Sequence, residues 1–283
     1  MPDSTFIFGT VGSPSSTPKK PGGTIGAIEH LAKQGLLAFE IGWVRSVRVS
    51  EKTCAEIKAA ASHNGVGVSV HAPYYINLNA DEEEWPKSRK RLMDAAHFGN
   101  LAGATDIVFH PGSYFERPPE QVLETAIPRL RDCLDELRAA DNPVTLRPET
   151  MGKSAMLGSI EDTLAMASEL EGVEPCLDFA HLHARTGDGS LNSQSEWGEI
   201  LTAYRKKLGA AALKTLHCHL SGIEYTEKGE RNHLMLADSD FNLPGLMKAL
   251  AEFNCGGRIL CESPEMDLDA QNIKSVWERT ASR

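Results

Sequence analysis

A chain of 283 residues, 41% of them hydrophobic, can bury a large core without disulfide staples. Its formal charge of -10, from 29 basic and 39 acidic residues, argues against a nucleic-acid partner unless bound cations offset it where contact is made. The six cysteines form no CxxC pair and no disulfide spacing, which fits a reducing cytoplasm. The N-terminus has neither the basic start nor the long apolar run of a signal peptide, and no stretch is apolar enough to span a bilayer.

Taken in order, the chain repeats one device: a short apolar run, then a histidine or carboxylate at its end. Phe6 to Val11 is predicted as the first strand, and Thr24 as the cap of a helix reaching Lys33. Leu36 to Trp43 is the second strand, with Glu40 inside it, and a helix from Glu51 to His63 closes on Gly65. Val66 to Val70 is a β-branched run ending in His71-Ala72-Pro73-Tyr74-Tyr75, where proline stops the strand. A long helical pattern from Glu82 to Ala102 follows. Asp106 to Phe109 then ends in His110-Pro111-Gly112-Ser113, and Pro119 to Ala140 is helical with leucines on one face.

The second half continues the device. Pro143 to Pro148 is tipped by Glu149, and a helix runs from Ser159 to Leu170. Val173 to His183 reads as strand-like, tipped by Asp178 with His181 just after it, and a helix from about Glu196 to Leu208 follows. Leu213 to Leu220 carries His217 and His219, and a charged loop holds Glu230 and His233. After a helix from Leu243 to Phe253, the run Arg258 to Cys261 is tipped by Glu262, and Asp269 to Arg279 closes the chain. Eight strand–helix units without an intervening linker imply one domain, a single (β/α)8 barrel over residues 1–283. The competing doubly wound sheet lacks its GxGxxG fingerprint after the first strand.

Parallel strands in such a barrel bring their C-terminal ends to one face. His71, His110, Glu149, Asp178, His181, His219 and Glu262 then converge, although they span most of the sequence. All are imidazoles or carboxylates and none is a thiolate, a donor set suited to zinc or manganese hydrolytic chemistry. A lone strand-end histidine is ordinarily a satisfied polar residue; the coincidence across strands is what argues for a metal site. Alternation puts His217 on the same side as His219 but one layer deeper. His30, His63 and His97 fall on helices as surface or packing residues.

At these motifs the sequence resembles the endonuclease IV family of apurinic/apyrimidinic endonucleases. The matching stretches are His71-Ala72-Pro73-Tyr74 through Ile76-Asn77-Leu78, His110-Pro111-Gly112-Ser113, Glu149-Thr150, Leu177-Asp178 with His181, His219-Leu220 and Glu262-Ser263-Pro264. The resemblance implies a TIM barrel with a trinuclear zinc cluster that hydrolyses the phosphodiester 5′ to an abasic site in double-stranded DNA. By match, His71, His110 and Glu149 would hold a first ion. Glu149 would bridge to a second ion held by Asp178, His219 and Glu262, and His181 would serve a third. Manganese is an alternative metal, and two to three ions are expected.

The family's Asp-x-His pair after the seventh strand is replaced here by Glu230-Arg231-Asn232-His233. Glu149 would also be the catalytic carboxylate. Tyr74 and Tyr75 would press into the duplex beside the ions. Arg45, Lys153, Lys228 and Arg231 are the loop candidates for phosphate contacts. The resemblance calls for a monomeric, cytoplasmic enzyme with no obligate protein partner and no membrane. Two rival readings share the barrel: a sugar isomerase or epimerase of the xylose-isomerase-like superfamily, using one metal on Glu149, Asp178, His219 and Glu262, and a metal-containing binder that does not cut.

Overall fold

A computed structural model describes residues 6–282. Eight parallel strands form one sheet in the order β5-β4-β3-β2-β1-β10-β7-β6. They are β1 (Phe6–Val11), β2 (Ala38–Gly42), β3 (Gly67–His71), β4 (Ala104–Phe109), β5 (Thr145–Pro148), β6 (Cys176–Asp178), β7 (Leu216–Leu220) and β10 (Gly257–Cys261). The ring closes between β5 and β6 through parallel bridges at Leu146–Val173 and Glu149–Cys176. The fold is thus the expected TIM barrel, with helices packed outside the strands. A sheet covered on its outer face and filled on its inner face explains why the strands read as apolar runs rather than as alternating patterns.

Local signals set most boundaries. The Ser50 side chain caps α2 (Glu51–Asn64), and Gly65 ends it in the left-handed conformation. Ser159 with Asp162 and Ser193 with Glu196 form capping boxes on α5 (Ile160–Glu169) and α7 (Gln194–Leu208). Two expectations shift. Thr24 is no cap: α1 (Gly23–Lys33) starts one residue before it, behind Gly22. The helix α3 (Trp85–Leu101) begins three residues later than its pattern, because the Asp81 carboxylate folds 81–84 into a turn by accepting the Glu83 and Glu84 amides.

Two larger departures lie near the site. The strand in the stretch from Val173 to His183 ends at Asp178 as expected but is only three residues long, and Phe179–Arg185 is a helix, α6. Asp178 makes the change by capping α6, its Oδ1 accepting the His181 amide at 2.7 Å. The charged loop after β7 is instead an antiparallel hairpin of β8 (Gly222–Thr226) and β9 (Gly229–Leu234). The remaining helices are α4 (Pro119–Ala139), α8 (Leu243–Glu252) and α9 (Met266–Ala281).

The N-terminal mouth of the barrel is closed by charge. Buried Arg147 reaches Asp106 Oδ1 at 2.5 Å, and Arg258 reaches Asp106 Oδ2 at 3.1 Å. Burial works to raise the Asp106 pKa, but the two guanidinium groups outweigh it and hold the carboxyl below the usual range. Asp106→Ala is expected to cost about 3–5 kcal/mol in chemical denaturation, since it leaves Arg147 buried without its closest anion. The sign of the pH dependence follows from the depressed pKa. The stabilisation is fully present above the unfolded aspartate pKa of about 4 and is lost as pH falls below it. The wild-type minus Asp106→Ala difference in stability should therefore shrink with acidification.

Candidate metal centre

The opposite, C-terminal mouth collects the predicted donors. His71 ends β3, His110 follows β4, Glu149 follows β5, Asp178 ends β6, His219 lies in β7 and Glu262 follows β10. Two motif segments brace each other here. The Leu78 amide donates to Pro111 O at 2.8 Å, and Asn79 Nδ2 donates to Ser113 O at 3.0 Å. Gly112, at φ +121°, lies so close to Asn77 that a β-carbon would sit 2.1 Å from its Oδ1. The HAPY-to-INL and HPGS stretches thus fold as one unit that fixes His71 and His110.

Glu149 is fully buried at the centre of the set. Its Oε2 lies 3.2 Å from His71 Nε2 and 3.3 Å from His110 Nε2. Its Oε1 lies 3.3 Å from His181 Nδ1 and 3.4 Å from His219 Nδ1. Oε2 therefore faces His71 and His110 while Oε1 faces His219, two different groups of donors, as a bridging carboxylate would; His181 meets Oε1 through the nitrogen that also faces the Thr150 carbonyl. Burial works to raise the Glu149 pKa, but hydrogen bonds with His110, His181 and His219 hold it well below the usual range. Burial likewise opposes protonation of His71, yet Glu149, supported by Glu40 and Glu262, raises its pKa to about 8. His181 is raised well above its ordinary value against the same burial, chiefly by Asp178 and Glu149. These carboxylates demand positive charge, and a divalent cation meets the same demand.

Donor geometry supports that reading. The ligand atoms of His71, His110 and Glu149 fall within 4.8 Å of one another, as do those of Glu149, Asp178, His219 and Glu262, and those of Asp178, His181 and His233. Asp178 Oδ2 is buried without a hydrogen-bond partner. Three histidines spend Nδ1 on backbone carbonyls: His71 on Ala72 at 2.9 Å, His181 on Thr150 at 3.0 Å and His233 on Glu262 at 3.2 Å. Each is left with Nε2 facing the other donors, the tautomer a ligand needs. His181 Nε2 meets His233 Nε2 at 3.3 Å and Glu230 Oε2 at 3.5 Å.

The hairpin accounts for the unusual spacing of Glu230 and His233. In a regular strand, residues three apart point to opposite faces. Here Tyr225 pairs with Glu230 while Glu224 pairs with Asn232, so Arg231 is the extra residue of a bulge. The bulge returns His233 to the side of Glu230. Gly229, at φ +93°, lets the turn press against the loop after β5, and the Glu230 amide donates to Gly152 O at 2.9 Å.

The contact residues divide. Tyr74 is half exposed and stacks on His110, with ring centroids 4.9 Å apart and planes at 16°. Burial, with Glu262 and Glu149 nearby, pushes its phenol up to about 12, so it stays protonated. Tyr75 is 65% exposed and lies beside the Arg91 guanidinium. Arg45, Lys153 and Lys228 are exposed on the loops after β2 and β5 and at the hairpin tip, whereas Arg231 is tied to Glu224 at 3.0 Å. Lys153 lines the cavity of about 380 Å³ over the donors, with Tyr74, Met151 and Met156. Hollows of about 600 and 540 Å³ lie against the outer helices and gather no comparable donor set.

Sequence reasoning gave Glu40 no role. It is fully buried below the centre, with Oε2 accepting Ser69 Oγ at 2.7 Å and lying 2.9 Å from His217 Nε2. Burial lowers the His217 pKa to about 4, so this imidazole is neutral and donates to Glu40. Cys176 lies near both β7 histidines, and burial pushes its thiol well up.

Comparison with known proteins agrees with the geometry. An uncharacterized protein of Methanocaldococcus jannaschii is 39% identical over 266 residues, covering 94% of each chain. Endonuclease 4 of Thermus thermophilus is 34% identical over 201 residues, 69% of this chain and 70% of that one. Among solved structures, an endonuclease IV from Thermus thermophilus superposes with TM-score 0.70 at 25% identity, over 96% of this chain and 99% of that one. A D-tagatose 3-epimerase-like protein also reaches TM-score 0.70, at 18% identity over 96% and 97%, which shows a shared barrel. The family described as xylose isomerase-like TIM barrel matches residues 28–281, and with the endonuclease 4 relatives this shows that the chain belongs to that family, on its endonuclease IV branch.

Proposed function

We propose that this protein is a metal-dependent phosphodiester hydrolase that cuts double-stranded DNA 5′ to abasic sites. The carrying observation is the size of the donor set: three groups linked through Glu149 and Asp178, with Glu230 joining through His181. A one-metal sugar isomerase would use Glu149, Asp178, His219 and Glu262 and leaves His71, His110, His181 and His233 without a role. The similarity to endonuclease 4 of Thermus thermophilus supports the same choice.

His71, His110 and Glu149 would hold one ion, Glu149, Asp178, His219 and Glu262 a second, and His181, Glu230 and His233 a third, as zinc or manganese. Divalent cations held in this way activate water near neutral pH and stabilise charge on the attacking and leaving oxygens of an in-line displacement. The chain supplies the rest. Glu149 orients the groups on both of its sides, while Met151, Met156 and Tyr74 wall the cavity against bulk water. Lys153 offers an ammonium to the incoming phosphate. Tyr75 and the Arg45 and Lys228 loops would meet the flanking duplex. Without a base to unstack, an abasic sugar enters such a cavity at low cost.

The test uses a duplex with one tetrahydrofuran site, which cannot undergo β-elimination. Incision on its 5′ side, abolished by chelation and restored by zinc or manganese, is the expected result. Absence of incision by protein that demonstrably binds metal, together with turnover of a free ketose, would overturn this function in favour of the isomerase.

A further inference from the structure

His219 differs from His71, His181 and His233 in what its far nitrogen faces. His71, His181 and His233 each use a backbone carbonyl, a neutral partner. His219 Nδ1 faces Glu149 and Glu262, at 3.4 and 3.6 Å, so its opposite nitrogen points down into the barrel. There Nε2 lies 3.0 Å from Glu40 Oε1, within ion-pair distance though out of hydrogen-bond alignment, and both atoms are buried with no hydrogen-bond partner, so each is the nearest group that can satisfy the other. The other Glu40 oxygen is fully engaged by Ser69 and His217. Glu40 and His219 are both wholly buried, so bulk solvent reaches neither.

We propose that Glu40 is a positioning residue for the metal centre: a buried anion that keeps the His219 proton on Nε2, turns Nδ1 toward the carboxylates and strengthens it as a ligand. Ser69 and His217 hold Glu40 in turn, which makes β2, β3 and β7 one bracket beneath a single ligand. This inference rests on the metal reading above. An anion behind a ligating imidazole raises its basicity more than a carbonyl does, and loss of such a partner typically lowers metal affinity about 10- to 100-fold.

The experiment compares wild-type protein with Glu40→Gln, which keeps size and polarity but removes the charge. Zinc binding is measured by competition with a chromophoric chelator, and melting is followed in excess EDTA. The expected result is one zinc ion of the set weakened about 10- to 100-fold, with EDTA-treated variant and wild type melting alike. Equal zinc affinity in the two proteins would overturn the inference, and so would a fall in apo-protein melting with affinity unchanged, which marks a purely structural carboxylate. Failure of the wild type itself to bind zinc would overturn the metal reading instead.

Should Glu40→Gln not fold, wild-type protein loaded with cadmium-113 and labelled with nitrogen-15 at histidine gives the answer directly. Metal coupling to His219 Nδ1 with a proton retained on Nε2 is expected. Coupling through Nε2 would overturn the proposal.

Discussion

Glu149→Gln is expected to lower incision at a tetrahydrofuran site at least about 10³-fold, roughly 4 kcal/mol of barrier, while the barrel stays folded. The magnitude follows from where this side chain sits. One oxygen faces His71 and His110 and the other faces His181 and His219, all between 3.2 and 3.4 Å. Among the described residues, no other carboxylate lies within 4 Å of all four of these imidazoles. Glutamine fills the same buried space and keeps a carbonyl oxygen, so the packing around the β5 tip is retained. It cannot carry the charge that would neutralise cations on its two sides. Single-turnover incision and metal stoichiometry should therefore fall together, with circular dichroism unchanged. Full activity with full metal content in the purified variant would remove Glu149 from its central role. His110→Ala is expected to act through the same groups, less severely, because His110 faces only one Glu149 oxygen.

The barrel and most of its donors were legible because both signals are local. A short apolar run stopped by proline is enough to mark His71 and His110 as strand tips, and parallel strands bring tips together wherever they lie in sequence. What stayed hidden depends on distant pairing. Glu40 sits mid-strand in β2 with ordinary apolar neighbours, and its partners are 29 and 177 positions away. Its acidic identity within a buried run was the only available sign, and a mid-strand glutamate more often marks an exposed edge. The helix after Asp178 stayed hidden for a different reason. An apolar stretch from Val173 onward has no period that separates a short strand from the buried helix after it, and only the capping contact to the His181 amide sets the boundary.

The hairpin carries the second large effect. His233→Ala is expected to reduce the bound ions by one and to slow incision about 10²- to 10³-fold, since loss of a metal's charge stabilisation is worth several kcal/mol. The direction rests on His233 Nε2, which lies 3.3 Å from His181 Nε2 on a ring otherwise held by the Thr150 carbonyl. A Glu-x-x-His spacing looks wrong for two ligands on one strand, yet here both side chains fall on one side because Arg231 occupies a bulge. That explanation makes a contrary prediction for a second variant. Deleting Arg231 leaves Glu230-Asn232-His233, a two-residue step that puts both donors on one face of a regular strand. The deletion should therefore keep the third ion and most of the incision rate, although it removes a residue from the site's edge and the Glu224 ion pair with it. Metal stoichiometry of the two variants, measured side by side, separates the cases. If the deletion loses the ion as His233→Ala does, the bulge positions His233 by more than parity, and the hairpin's own twist becomes part of the site.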